Sequence, residues 1–142
     1  MARAGLAELI GVGVVSADDD EAALDAVVAP VCVGNSVVVI ASERRPTPGI
    51  ILAEMTATAD LPGGVVNVVT GLTAELAPHL VMHEDVDGMD LTGARELGDE
   101  LAYRAAGSIK RVYRPRINGD EDSLRRLRTF VETSTVWHTI GQ

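Results

Sequence analysis

Apolar residues fall in two kinds of run along the chain, and the runs alternate. Residues 9–15 (LIGVGVV), 36–41 (SVVVIA), 65–69, 86–91 and 108–113 are short, rich in Val and Ile, and bounded by turn residues. Continuous apolar runs of four to eight residues suit strands buried on both faces, as in a parallel sheet. Between them, residues 22–33, 46–58, 73–83 and 94–106 carry the longer, mixed pattern of helices. Asp18 and Glu21 have capping-box spacing before the first helix, Gly34-Asn35 ends it, and Pro46 and Pro48 open the second. Leu61-Pro62-Gly63-Gly64 reads as a turn. Five strand–helix alternations with short connections predict an α/β fold: a Rossmann-like, mostly parallel sheet with helices on both faces. Residues 114–122 (RPRINGDED) break the pattern and read as a surface connection. Residues 123–130 form one short helix, and residues 134–140, β-branched and aromatic, a lone terminal strand.

Size and composition narrow this further. A chain of 142 residues and 14.9 kDa has the size of one domain. Apolar residues are 46% and aromatics only 3%, so the core is built from aliphatic side chains and disorder is excluded as the general state. Twelve basic against twenty-one acidic residues argue against a general nucleic-acid binder. The imbalance is uneven: residues 1–94 hold 3 basic and 14 acidic side chains, residues 95–142 hold 9 and 7. Such a dipolar chain favours self-association or a similarly built partner, while solvated helix faces explain the same pattern more simply. No apolar run is long enough to span a bilayer, and the N-terminus lacks signal-peptide features. A cytoplasmic location is the expectation.

The candidate chemistry is sparse. Gly11-Val12-Gly13 lies inside a strand, and its third fingerprint position is Ser16, which argues against a dinucleotide turn there. Thr92-Gly93-Ala94 is better placed, after a strand and at a helix start, where backbone N–H groups face a phosphate. His79 and His83 lie four apart without a third ligand, so helix-end histidines are expected. Cys32, the one cysteine, cannot form an internal disulfide and reads as a small buried core residue. His138 alternates with apolar residues on the terminal strand.

Several motifs in sequence order carry a resemblance. Val28-Ala29-Pro30, Gly34-Asn35-Ser36-Val37-Val38-Val39, Ser42-Glu43, Leu61-Pro62-Gly63-Gly64-Val65-Val66-Asn67-Val68-Val69-Thr70-Gly71, His83-Glu84-Asp85-Val86-Asp87 and Leu91-Thr92-Gly93 together resemble the aldehyde dehydrogenase superfamily. The likeness runs from about Leu9 to Tyr113. The tail Phe130-Val131-Glu132-Thr133-Ser134-Thr135-Val136-Trp137 is similar to the family's extreme C-terminus, a strand that joins a sheet across a subunit boundary. The resemblance implies three parts. They are a dinucleotide-binding domain over 1–113, a connection over 114–130 where the family has its catalytic domain, and an oligomerisation strand over 131–142.

The departures bear on function. The interval between Tyr113 and the tail holds no cysteine, so the thioacyl intermediate of the family has no nucleophile here. Where the family places its general base, this chain reads Tyr113-Arg114-Pro115-Arg116. The turn that carries the family's oxyanion asparagine is Ala17-Asp18-Asp19-Asp20, and a carboxylate repels developing negative charge. For the cofactor, Glu43 matches the ribose-binding glutamate, but the partner lysine is Ile40; loss of one charged donor costs roughly 1.5–3 kcal/mol, one to two decades in affinity. Thr92 and Gly93 match the phosphate turn, with Ala94 in place of its serine. Gly71 and Leu97 match the adenine side. The resemblance therefore implies weak NAD or NADP binding at Glu43, Gly71, Thr92, Gly93 and Leu97. The expected role is a catalytically inactive domain that associates through residues 135–140 with a second copy or a full-length relative. The alternative is an NAD(H)-binding subunit serving a catalytic domain on another polypeptide.

Overall fold

The computed structural model describes residues 10–16, 18, 20–115 and 123–132. In chain order the elements are β1 (Gly11–Val15), α1 (Asp20–Cys32), β2 (Ser36–Ile40), α2 (Thr47–Thr58), β3 (Val66–Val69), α3 (Thr73–Met82), β4 (Gly88–Asp90), a 3₁₀ turn (Arg95–Leu97), α4 (Gly98–Ala106), β5 (Arg111–Tyr113) and α5 (Ser123–Thr129). The strands form one parallel sheet in the order β3-β2-β1-β4-β5. The alternating pattern of the sequence is thus realised as a Rossmann-like α/β sheet. Residues 133–142, which include the expected terminal strand, lie outside the described residues, as does most of the expected connection 114–122.

Alternation along each strand divides the core into two layers. Val15, Ile40 and Met89 face Ala77 and Val81 of α3 and Leu101 and Ala105 of α4. Val12, Val14, Val37, Val39 and Tyr113 face Ala26 and Val27 of α1, together with Phe130. Close strand-to-helix approach explains the glycines of β1 and β4. A Cβ on Gly13 would stand 2.9 Å from Leu80 Cδ2, and one on Gly88 would stand 2.9 Å from the Phe130 ring. The Gly11–Gly13 pair is therefore a packing feature of a central strand.

The stop of α1 at Gly34-Asn35 stands as the sequence reading has it, and other boundaries differ, each for a local reason. Helix α1 ends in a Schellman arrangement: Asn35 N–H donates to Pro30 O (3.1 Å), Gly34 N–H to Val31 O (2.9 Å), and Gly34 has φ +94°. Strand β5 starts at Arg111, because the N–H groups of Ser108 and Lys110 close the end of α4 on Ala105 O, with Ile109 at φ +55°. The helix expected over 94–106 is a 3₁₀ turn followed by α4, with Arg95 at φ +48°. Cys32, expected in the core, is exposed on the last turn of α1. The buried residues of this apolar helix are Ala26, Val27, Ala29 and Pro30, of which Ala26 and Val27 pack in the sheet-side core.

After β5 the chain returns to the sheet. Helix α5 packs against α1 and β5, and Phe130 enters the core at 1% exposure. Asn35 joins this return to the start of β1. Its Oδ1 accepts from Ile10 N–H (3.2 Å), and its Nδ2 donates to Phe130 O (2.7 Å).

Candidate functional site

Strand order reverses between β1 and β4, so the loops leaving β1 and β4 diverge to opposite faces. In open α/β sheets ligands bind at the carboxyl ends of strands beside such a reversal. A cleft of about 410 Å³ lies there, lined among others by Asp18, Ser42, Glu43, Arg44, Gly93 and Leu97. Of the residues singled out in the sequence, Glu43, Gly93 and Leu97 meet in this cleft. Thr92 stands immediately behind it. Gly71 follows β3, where a Cβ would approach Leu76 Cδ1 to 2.9 Å; it is a packing position beside α3.

The turn after β4 is held from below by charge. Asp90 is fully buried, and its Oδ1 accepts from Thr92 N–H (2.9 Å) and Thr92 Oγ1 (2.5 Å). Arg126 of α5, 2% exposed, pairs with Asp90 Oδ2 through Nε (3.1 Å) and donates from Nη2 to Thr92 Oγ1 (2.9 Å). The guanidiniums of Arg125 and Arg126 lie over the Tyr113 ring at 4.4 and 4.5 Å from its centre. Gly93 N–H donates to Val15 O (2.8 Å) and Ala94 N–H to Leu91 O (3.0 Å). These N–H groups of the turn thus already have acceptors within the protein.

At the end of β2 the arrangement differs. Glu43 turns its carboxylate to the Thr73 N–H at the first residue of α3, where a helix start favours negative charge. Ser42 Oγ donates to Asp18 Oδ1 (2.5 Å), and Arg95 reaches the same carboxylate from across the cleft. Asp18, which the sequence suggested as a helix cap, therefore ties the β1 turn to β2 and to the turn after β4. Arg45 turns away to Asp20 (3.4 Å) and Asp18 O (3.3 Å). Arg44 lines the cleft with no hydrogen-bond or ion-pair partner among the described residues. Ile40, at the family's lysine position, is buried at 2% exposure and adds no charge.

Sequence reasoning missed Arg44, Arg95 and the Asp90–Arg126 pair. The run Ser42-Glu43-Arg44-Arg45 carried the one available signal, two cations directly after the matched glutamate. No group of three or more metal-ligating side chains gathers among the described residues; His83 Nδ1 accepts from Asp85 N–H (3.3 Å). Cys32 lies at the far end of α1, which runs from the carboxyl edge of β1 to the amino edge of β2, so the thiol and the cleft occupy opposite edges of the sheet. The donors and acid present fit the adenosine half of a dinucleotide better than its pyrophosphate.

Comparison with known proteins agrees with the fold. The aldehyde dehydrogenase family model matches residues 22–114. The NADP/NAD-dependent aldehyde dehydrogenase PuuC of Escherichia coli is 42% identical over 81 residues, 56% of this chain and 16% of that protein. A betaine aldehyde dehydrogenase of Rhizobium johnstonii is 36% identical over 110 residues, 78% of this chain and 22% of that protein. Among solved structures, HpcC of Thermus thermophilus superposes with TM-score 0.69 at 32% identity, covering 74% of this chain and 21% of that one. A NAD-dependent benzaldehyde dehydrogenase of Corynebacterium glutamicum gives 0.65 at 28%, covering 74% and 24%. The chain thus spans less than a quarter of these relatives, within their nucleotide-binding sheet, and it belongs to the aldehyde dehydrogenase family.

Proposed function

We propose that this chain works as a noncatalytic aldehyde dehydrogenase domain that binds the adenosine half of NAD or NADP and acts by association. One observation carries the reading: the cleft that gathers Glu43, Gly93 and Leu97 is built, while the single thiol lies at the opposite edge of the sheet. Glu43 would orient the ribose, Leu97 would cover the base, and a bound dinucleotide supplies hydride chemistry only where a second, nucleophile-bearing domain is present. The acidic stretch Ala17-Asp18-Asp19-Asp20 and the stretch Tyr113-Arg114-Pro115-Arg116, where the family has its oxyanion asparagine and its general base, would give this chain neither function of its own. Residues 135–140 would supply the association surface, since an extended apolar segment is stabilised by pairing with a sheet edge.

Calorimetric titration with NAD and NADP, repeated on Glu43→Ala, tests the binding half. A ligand at a hundred times its Kd raises stability by about 2.7 kcal/mol, so a matching rise in melting temperature is expected. Absence of both heat and thermal shift at millimolar nucleotide removes the binding reading. Aldehyde turnover by the purified chain that disappears in Cys32→Ser would overturn the noncatalytic one.

A further inference from the structure

We infer that the open edge of β3 is the acceptor for residues 134–140 of a second copy, which add to the sheet as a further strand; this rests on the association reading above. Val37 N–H donates to Val65 O (2.7 Å) and Ala41 N–H to Val69 O (2.9 Å), so residues 65, 67 and 69 turn their main-chain groups to β2. The residues between them turn theirs the other way. Val66, Val68 and Thr70 therefore present N–H and C=O outward, with no main-chain partner among the described residues. Edges are ordinarily blunted by charge or proline. This one is not: residues 61–74 carry no charged side chain in a chain of net charge −9, and β3 holds no proline. The helix beside it is uncovered too, for α2 has no buried residue. Ile51 and Met55 line the groove toward α1 and Gly49 faces the sheet, so helical spacing turns Ile50, 46% exposed, toward the β3 edge. The opposite edge is blunted. β5 has three residues, flanked and led by Lys110, Arg111 and Arg114, and only Val112 turns its main chain outward within it.

The tail of the same chain is not placed to fill either edge. Phe130 O is held by Asn35 at the amino ends of β1 and β2, and two residues later Glu132 pairs with Arg111 at the start of β5 (2.5 Å). The chain thus heads toward β5 and away from β3. Returning across four strand spacings, about 19 Å, would use roughly six residues, too many for a strand that begins at residue 134. A strand outside β5 fails on handedness. Helix α1 carries the crossover from β1 toward β3 in the core layer of Tyr113 and Phe130, and α5 packs beside it. A crossover from β5 through α5 to an outer strand would run the opposite way on that face and be left-handed, whereas parallel crossovers are nearly always right-handed. A second copy escapes both constraints. Residues 133–142 contain no Asp, Glu, Lys or Arg and are rich in Thr, Val and Ile, which suits pairing with an uncharged edge.

The test follows hydrogen exchange in the full chain by NMR as its concentration is raised through the association midpoint. At ten times the midpoint the amides of Val66, Val68 and Thr70 are expected to exchange about tenfold slower, and that of Val112 to stay unchanged. An excess of synthetic peptide 131–142 should lower the particle mass in light scattering while keeping the three β3 amides protected, since the peptide replaces the partner's tail. Val68→Pro removes an outward N–H and no bond to β2; it should raise the midpoint about tenfold, and Val112→Pro should leave it where it was. Protection on association at Val112, or at neither edge, overturns β3 as the acceptor and leaves association through the tail standing. Protected β3 amides in particles whose mass the peptide does not lower overturn the tail as the occupant. A chain that stays monomeric at every concentration removes the association reading and this inference with it.

Discussion

At the residue scale the energetics concentrate on Asp90 and Arg126. Both are buried, at 0% and 2% exposure, and removing one member of such a pair leaves an uncompensated charge, at a cost of roughly 3–5 kcal/mol. Arg126→Met should lower the melting temperature by about 10 °C in circular dichroism, given about 2–4 °C per kcal/mol for chains near this size. Asp90→Asn combined with Arg126→Met should cost clearly less than the two single changes together, because Asn still accepts from Thr92 and no buried charge remains. By contrast the exposed Arg104–Glu100 pair, one turn apart on α4 at 2.6 Å, is worth only about 0.3–0.5 kcal/mol, so Arg104→Ala should leave the melting curve nearly unmoved. Additive losses in the double variant would mean that the buried pair does not act as a unit. None of this was visible in the sequence: in SLRRLRTF one arginine looks like the next, and only the return of α5 to the sheet separates buried Arg126 from exposed Arg128 and half-buried Arg125.

At the element scale the sheet was legible and its joints were not. Short Val-rich runs bounded by turn residues mark strands whether they are central, as β1 and β2, or half-exposed at the sheet edge, as β3, so all three stand almost where the pattern puts them. The ends of β4 and β5 depend on backbone groups captured by neighbouring turns, as at Ser108 and Lys110, which periodicity does not record. Cys32 shows the same limit, since it continues an apolar but exposed face of α1 shared with Leu24 and Val28. Asn35 is the joint with the widest reach, for one amide side chain satisfies both Ile10 N–H and Phe130 O. Asn35→Ala leaves both without that partner, each worth roughly 1–3 kcal/mol if it stays buried. The expected outcome is a destabilised chain in which the Ile10 amide exchanges hydrogen faster than the amides of β2. Protection at Ile10 equal to the parent's would show that the joint is replaceable. The candidate site was legible to a similar degree: motif spacing pointed to Glu43, Gly93 and Leu97, but the hydrogen bonds that free Arg44 and occupy Gly93 N–H exist only in the folded arrangement.

At the scale of the whole molecule, the proposed association would depend on charge and on strand edges. The chain carries a formal charge of −9, which opposes like-with-like contact at long range, but the excess sits in residues 1–94 while residues 95–142 are net basic. Copies that bring one copy's basic part to the other's acidic part convert that repulsion into steering, an effect that weakens as salt shortens the Debye length to about 8 Å at physiological strength. Residues 135–140 lie within the net-basic part of the sequence, so the proposed pairing there would be reinforced by charge at low salt and carried by main-chain hydrogen bonds at high salt. Deleting residues 134–142 should therefore lower the particle mass in light scattering at both 50 and 500 mM salt (roughly the range over which screening changes most). The parent should lose mass only partly as salt rises. A deletion that leaves the mass unchanged rejects the tail as the association element. A mass that collapses with salt in the parent alone assigns association to the charge asymmetry instead, because hydrogen-bonded strand pairing does not depend on ionic strength to that extent.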